Sequence, residues 1–105
     1  MGEVVVVATL KAKPGREDEV EAALAGIAEP SHEEPGCIRY ALHRGVDDPT
    51  RIVLVERWAS RQDLDEHFTQ PYTQNLPDPS EYLDEPPQIF FLEPRPTGDE
   101  TKGTL

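Results

Sequence analysis

Apolar positions change their spacing several times along the chain, and each change marks an element. Val4 to Leu10 is a β-branched run with apolar residues on both faces: Val4, Val6 and Ala8 on one, Val5 and Val7 on the other. It predicts a strand covered on both sides. After Pro14-Gly15 the period lengthens, and Val20, Ala23, Leu24, Ile27 and Ala28 fall at helical spacing with acids between them. A helix over 16–29 is predicted, with Glu17 and Asp18 in its first turn and Pro30 as its stop. Alternation returns over 37–46, with Ile38, Tyr40 and Leu42 on one face and Cys37, Arg39, Ala41 and His43 on the other. Asp47-Asp48-Pro49 reads as a turn leading into a third strand over 51–58. There Val53 and Val55 oppose Ile52, Leu54 and Trp58. Ser60 is placed to cap a second helix that gathers Leu64, His67 and Phe68 on one face. Pro71, Pro77 and Pro79 cut that helix short, and residues 69–87 read as an irregular loop with a turn near Tyr82. Gln88 to Glu93 supplies a fourth strand.

The order β-α-β-β-α-β is the split βαβ pattern of the ferredoxin-like α+β fold: a four-stranded antiparallel sheet with two helices on one face. Valines also line the second face, and no third helix exists to cover it. A second copy of the chain, packed sheet to sheet, is the economical cover. A chain of 105 residues fits one domain. That domain is expected over residues 1–94, followed by a disordered polar tail over 95–105.

Charge narrows the partners. Twenty-one acidic against ten basic residues give a net charge of -11, which repels nucleic acid and anionic membrane surfaces alike. The longest apolar run, Val4 to Ala8, is too short to span a bilayer. Cys37 is the one cysteine, so no intrachain disulfide forms. With no basic region or small-residue cleavage site at Met1-Gly2-Glu3-Val4, a cytoplasmic protein is expected. Cys37 itself reads as a packed small hydrophobe.

The stretch Glu34-Pro35-Gly36-Cys37-Ile38-Arg39-Tyr40, with Leu42-His43-Arg44, resembles the antibiotic biosynthesis monooxygenase domain. So does Val55-Glu56-Arg57-Trp58-Ala59-Ser60, followed by Leu64 and His67-Phe68. Lys13-Pro14-Gly15-Arg16-Glu17 and Leu92-Glu93-Pro94 also match, so the resemblance covers residues 3–94. It implies a dimeric α/β barrel with a small pocket between sheet and helices in each subunit. Relatives in that family oxygenate phenols or quinols with O2 and without metal or flavin, while others degrade haem or isomerise small molecules. The haem-degrading branch carries an Asn on the first strand, where this chain has Ala8 or Thr9, and a His near the position of Phe68. Haem degradation is therefore disfavoured. Relatives also continue the second helix past a further His, where this chain has Tyr72.

The resemblance implies a cofactor-independent oxygenation of a small phenolic, quinol or polyketide-like metabolite. The bound phenol, once deprotonated, is electron-rich enough to reduce O2, so the protein need only bind it, take its proton and stabilise the anion. The candidate catalytic residues are His67 and Trp58; the candidate substrate-binding residues are Tyr40, His43, Tyr72 and Phe68. Each has a plainer reading beside it. Trp58 and Tyr40 fit core packing, and His43 fits a solvated strand position near Asp47 or Asp48. His67 fits a core-edge imidazole bonded to a backbone carbonyl, while His32 reads as surface. Arg39, Arg44 and Arg57 read as cross-strand partners for acids such as Glu56. No His-x-His or Cys-x-x-Cys pair predicts a metal, no glycine-rich loop predicts a nucleotide, and no cofactor is expected. The competing reading is a non-catalytic small-molecule-binding or stress-associated dimer, or an isomerase on the same fold.

Overall fold

A computed structural model describes residues 2–105. Its elements run β1 (Val4–Lys11), α1 (Glu17–His32), β2 (Cys37–Arg44), β3 (Arg51–Trp58), α2 (Arg61–Phe68), α3 (Pro71–Gln74), a 3-10 turn (Pro79–Glu81) and β4 (Gln88–Leu92). The strands form one antiparallel sheet in the order β2-β3-β1-β4. This is the ferredoxin-like α+β arrangement. Among the described residues no helix is long and apolar enough to cross a membrane.

The sheet has two unlike faces. Along β3 every second residue is buried, and Ile52, Leu54, Glu56 and Trp58 all turn toward the helices. They meet Val6, Ala8 and Leu10 of β1, Val20 and Ile27 of α1, and Leu64 of α2. Val5, Val7, Val53 and Val55 occupy the other face, where no helix lies over them and only the C-terminal residues 103–105 reach the edge beside the buried Val5. On β4, Phe90 pairs with Val7 and Leu92 with Val5, which adds two large apolar groups to that open face. All four apolar residues of β4, from Ile89 to Leu92, are 44–50% exposed.

Three local features depart from the pattern expectations. Pro30 does not end α1, which continues to His32. A proline this near the C-terminus removes one main-chain donor but leaves the last turn intact, and Glu33 and Glu34 N–H close that turn on Pro30 and Ser31 O at 3.2 and 3.1 Å. The second departure is in β2, where the register shifts between Cys37 and Arg39, placing Cys37 opposite Trp58 and Arg39 opposite Arg57. This bulge turns Cys37 toward the core and leaves Ile38 36% exposed; the strand also stops at Arg44, short of Val46. Third, Pro71 starts a helix as well as following one. It occupies the first turn of α3, where its fixed φ is an advantage. Residues 95–105, the expected disordered tail, carry turns but no helix or strand.

The second helix is placed by its start. Ser60 Oγ accepts from Asp63 N–H at 3.1 Å and donates to Asp63 Oδ2 at 2.9 Å. Ala59 N–H donates to Gly36 O at 2.8 Å, tying this cap to the loop before β2. Gly36 is buried, and a Cβ there would overlap Asp63 Cβ and Cγ. We therefore expect Gly36→Ala to push α2 off its seat and cost about 1–3 kcal/mol. Urea unfolding of the two proteins measures this, and equal midpoints would show that the loop accommodates the methyl group.

Candidate functional site

Between the helix-covered face of the sheet and the helices lies a cavity of about 250 Å3. Its walls are mostly carbon: Val6, Ala8 and Leu10 of β1, Leu24 and Ile27 of α1, and Leu54 of β3. Tyr40, Glu56, His67 and Thr73 supply the polar groups, and Phe68, Leu76, Pro87 and Ile89 complete the rim. An apolar chamber with a few convergent polar groups is the usual form of a small-molecule site. A wider depression of about 320 Å3 under the loop from Asp78 to Pro87 is lined by prolines and carboxylates, with no histidine or tyrosine.

His67 is the centre of the site. It lies one turn after Leu64 on α2, so the turn that buries Leu64 completely also carries the imidazole inward, to 2% exposure. Aromatic rings enclose it: Trp58 at 4.6 Å between centroids, Phe68 at 5.5 Å, Tyr40 at 5.8 Å and Tyr72 at 6.3 Å. A buried imidazole needs a partner, and His67 Nδ1 has one in Glu34 Oε2 at 2.8 Å. A carboxylate can only accept, so Nδ1 carries the proton and Nε2 keeps its lone pair in the neutral ring. The same Glu34 oxygen accepts from the Tyr72 hydroxyl. Burial, and then this hydrogen bond, push the Tyr72 phenol well above its ordinary range. Glu34 thus links α1–β2, α2 and α3 at one point. The backbone-carbonyl partner envisaged for His67 is replaced by a side-chain carboxylate.

Glu56 is the second ionisable group on the cavity wall. It alternates with Leu54 and Trp58 on β3, opposite Tyr40, and is 4% exposed. Trp58 donates its indole N–H to Glu56 Oε1 at 2.8 Å. Burial pushes the Glu56 carboxyl up, and the Trp58 hydrogen bond offsets part of that rise. Tyr40 beside it is also pushed up, chiefly by burial.

Of the residues singled out in the sequence, the structure brings Tyr40, His67 and Phe68 to the cavity wall. Trp58 is fully buried behind Glu56 and reaches the site through its N–H. Tyr72 stands beside His67 and reaches it through Glu34. His43 lies elsewhere: it pairs with Val53 on the open face, is exposed, and has Nδ1 3.3 Å from Val53 O. Its place in strand alternation, one residue out of phase with Leu42, puts it there. His32 is exposed at the end of α1, with Nε2 3.0 Å from Tyr40 O. The arginines do not pair with Glu56. Arg57 binds Glu3, while Arg44 binds Asp18 at 2.8 Å and Glu21 at 3.1 Å. Sequence reasoning missed Glu34 and Glu56 as site residues. Alternation with Leu54 and Trp58 was a usable signal for Glu56, whereas nothing in Glu33-Glu34-Pro35-Gly36 distinguishes Glu34 from its neighbour. Among the described residues no group of three His, Cys, Asp or Glu side chains is placed to hold a metal ion.

The Glu56 environment has a consequence for stability. Its carboxyl is raised in the folded chain and ordinary in the unfolded one, so folding favours the protonated form. That contribution is fully present below the ordinary glutamate range and is lost as pH rises through the folded value. Glu56→Gln keeps an acceptor for Trp58 and removes the titration. On going from about pH 4 to about pH 7, wild type should lose stability relative to Glu56→Gln in thermal melts. Parallel curves would contradict the burial argument.

Known proteins agree with this architecture. Residues 3–76 match the antibiotic biosynthesis monooxygenase family. The chain is 33% identical over 92 residues to a Mycobacterium tuberculosis protein named "Putative monooxygenase Rv0793", covering 87% of this chain and 90% of that one. The solved structure of Rv0793 superposes with a TM-score of 0.84 at 31% identity, over 92% of this chain and 99% of that chain. A structure from Caulobacter crescentus described as a "putative antibiotic biosynthesis monooxygenase" gives 0.80 at 29% identity, covering 88% and 89% of the two chains. An uncharacterised Synechocystis protein, sll1783, is 36% identical over 69 residues, which is 66% of this chain; the match spans 47% of that longer protein. On sequence and architecture together, the chain belongs to the antibiotic biosynthesis monooxygenase family.

Proposed function

We propose that this chain is an oxygenase that oxidises a small phenol or hydroquinone with O2, without metal or flavin, in the His67 cavity. The observation that carries the reading is the Glu34–His67 pair. Glu34 fixes the imidazole through Nδ1, and Nε2 makes no hydrogen bond among the described residues on a side chain that lines an apolar chamber. This is the arrangement a general base needs: an oriented ring, a free lone pair, and a carboxylate to stabilise the imidazolium that forms. Nε2 takes the phenolic proton. The phenolate then reduces O2 by one electron, and the radical pair recombines at a ring carbon. The resulting hydroperoxide loses water, so a phenol with a free ring carbon ortho or para to its hydroxyl reacts with O2 to give a quinone and H2O, and a hydroquinone gives a hydroxyquinone and H2O. Glu56 lines the same wall, and its protonated form, which burial favours, can donate a hydrogen bond to the oxygen on which charge develops.

Oxygen uptake with a panel of hydroquinones and anthrones tests the assignment. His67→Ala should lower the rate about 10²-fold or more while the protein stays folded. A rate per folded molecule that survives the substitution would remove His67 from the chemistry. Saturable binding with no oxygen consumed by any panel member would make the chain a binding protein.

We also propose that the working unit is a homodimer formed through the open sheet face, in the cytoplasm. Val7, Val53 and Val55 lie there, and Phe90 and Leu92 are 48% and 44% exposed beside them, while Val5 is already buried next to residues 103–105. A standard interface removes about 1,600 Å2 in total from water. Light scattering should return twice the 11.8 kDa chain mass, and Phe90→Glu should return the single mass. A wild-type monomer at micromolar concentration would contradict the proposal.

A further inference from the structure

A second apolar compartment lies beside the His67 cavity. It holds about 200 Å3 between α1 and the segment that runs from Leu76 to Pro87. Leu10, Leu24, Leu76 and Pro87 line both chambers, so one set of side chains forms the partition between them. Beyond that partition the second chamber is bounded by Val20 and Ala23 of α1, by Pro77 and Pro79, and by Tyr82 and Leu83. No charged residue lines it. In a chain of net charge -11, this uncharged recess contrasts with the acidic surface around it.

Two of the shared residues, Leu76 and Pro87, lie outside helix and strand. Leu76 is 42% exposed and lies between α3 and the 3-10 turn, in a segment without helix or strand. Its backbone is not held in the sheet, whereas Leu10 is in β1 and Leu24 in α1. Leu76 can therefore shift without moving a strand or a helix.

We propose that the second compartment is a subsite for an apolar chain carried by the substrate, whose phenolic ring occupies the His67 cavity; the inference rests on that reading of the first cavity. The two chambers differ in kind. The first offers Tyr40, Glu56 and His67 to a polar ring, and the second offers only apolar walls and one tyrosine. The sizes match such a division. An apolar cavity of about 150 Å3 holds benzene, so a chamber of about 250 Å3 takes one substituted ring, and a chain longer than a few carbons must pass the partition. The ligand class is therefore an alkyl- or prenyl-substituted phenol or hydroquinone.

Titration calorimetry under argon, with 4-alkylphenols from methyl to heptyl, reads binding without turnover. Affinity should rise up to about fourfold for each added methylene and level off once the second chamber is full. Ala23→Phe places a ring in the second chamber only. It should abolish the rise and leave the affinity for 4-methylphenol unchanged. Tyr82→Ala enlarges the same chamber and should move the plateau to longer chains, which keeps the test open if Ala23→Phe does not fold. Chain-independent affinity in wild type, or the same rise and plateau in either variant, would overturn the subsite. If 4-methylphenol fails to bind while the longer chains bind with the predicted rise, the compartment stands and the ring assignment falls. If 4-methylphenol binds and the chain adds nothing, the ring assignment stands and the compartment falls.

Discussion

The burial of one imidazole against one carboxylate is the constraint on which the site depends. His67 and Glu34 are both largely withdrawn from water, and each would be costly alone there. Together they satisfy each other, and Tyr72 supplies a further donor to the same oxygen. The contact joins the loop after α1 to α2 and α3, three pieces of chain separated by 33 and 38 positions. Holding the ring by Nδ1 selects which nitrogen carries the proton, and therefore which nitrogen is available to a ligand. Structure and chemistry meet in that one atom pair.

The sheet supports this arrangement through strand alternation. The same period that buries Ile52, Leu54 and Trp58 carries Glu56 inward with them. Trp58 then satisfies Glu56 from behind, and burial keeps that carboxyl toward its neutral form. The cavity consequently holds two ionisable groups with opposite roles. One is an imidazole bonded to a carboxylate, and the other is a carboxyl whose pKa burial raises. Two ionisable groups in unlike surroundings within an apolar chamber are the arrangement on which the proposed proton chemistry rests. The other face of the sheet, with its valines, Phe90 and Leu92, has no part in that chemistry; its composition concerns association.

Most of the architecture was legible because it follows from period. Residues 4–10 and 51–58 alternate or run apolar as strands do, and Ser60 is the side-chain cap that its place before Leu64 implies. The errors arose where a local rule was overridden. Pro30 breaks one hydrogen bond but not a last turn, so α1 outran it. The bulge at Cys37 shifts a face by one residue, which alternation alone cannot foresee. His67 was legible as an inward residue from Leu64 one turn earlier. Its carboxylate partner was not, because Glu34 is distant in sequence and lies in a loop with no period. Glu56 was legible from its register but masked by its charge. His43 has the residue type of a site residue, but its phase on β2 puts it on the open face.

The central claim is that Glu34 holds His67 with its proton on Nδ1 and its lone pair on Nε2. Nitrogen-15 NMR of the imidazoles, at a pH where the rings are neutral, tests it directly, since only His32, His43 and His67 contribute. For His67 a protonated-type Nδ1 resonance and an unprotonated-type Nε2 resonance are expected, with the pattern lost in Glu34→Gln. A His67 spectrum showing the proton on Nε2, or one averaged between the two nitrogens as in a solvated imidazole, would contradict it.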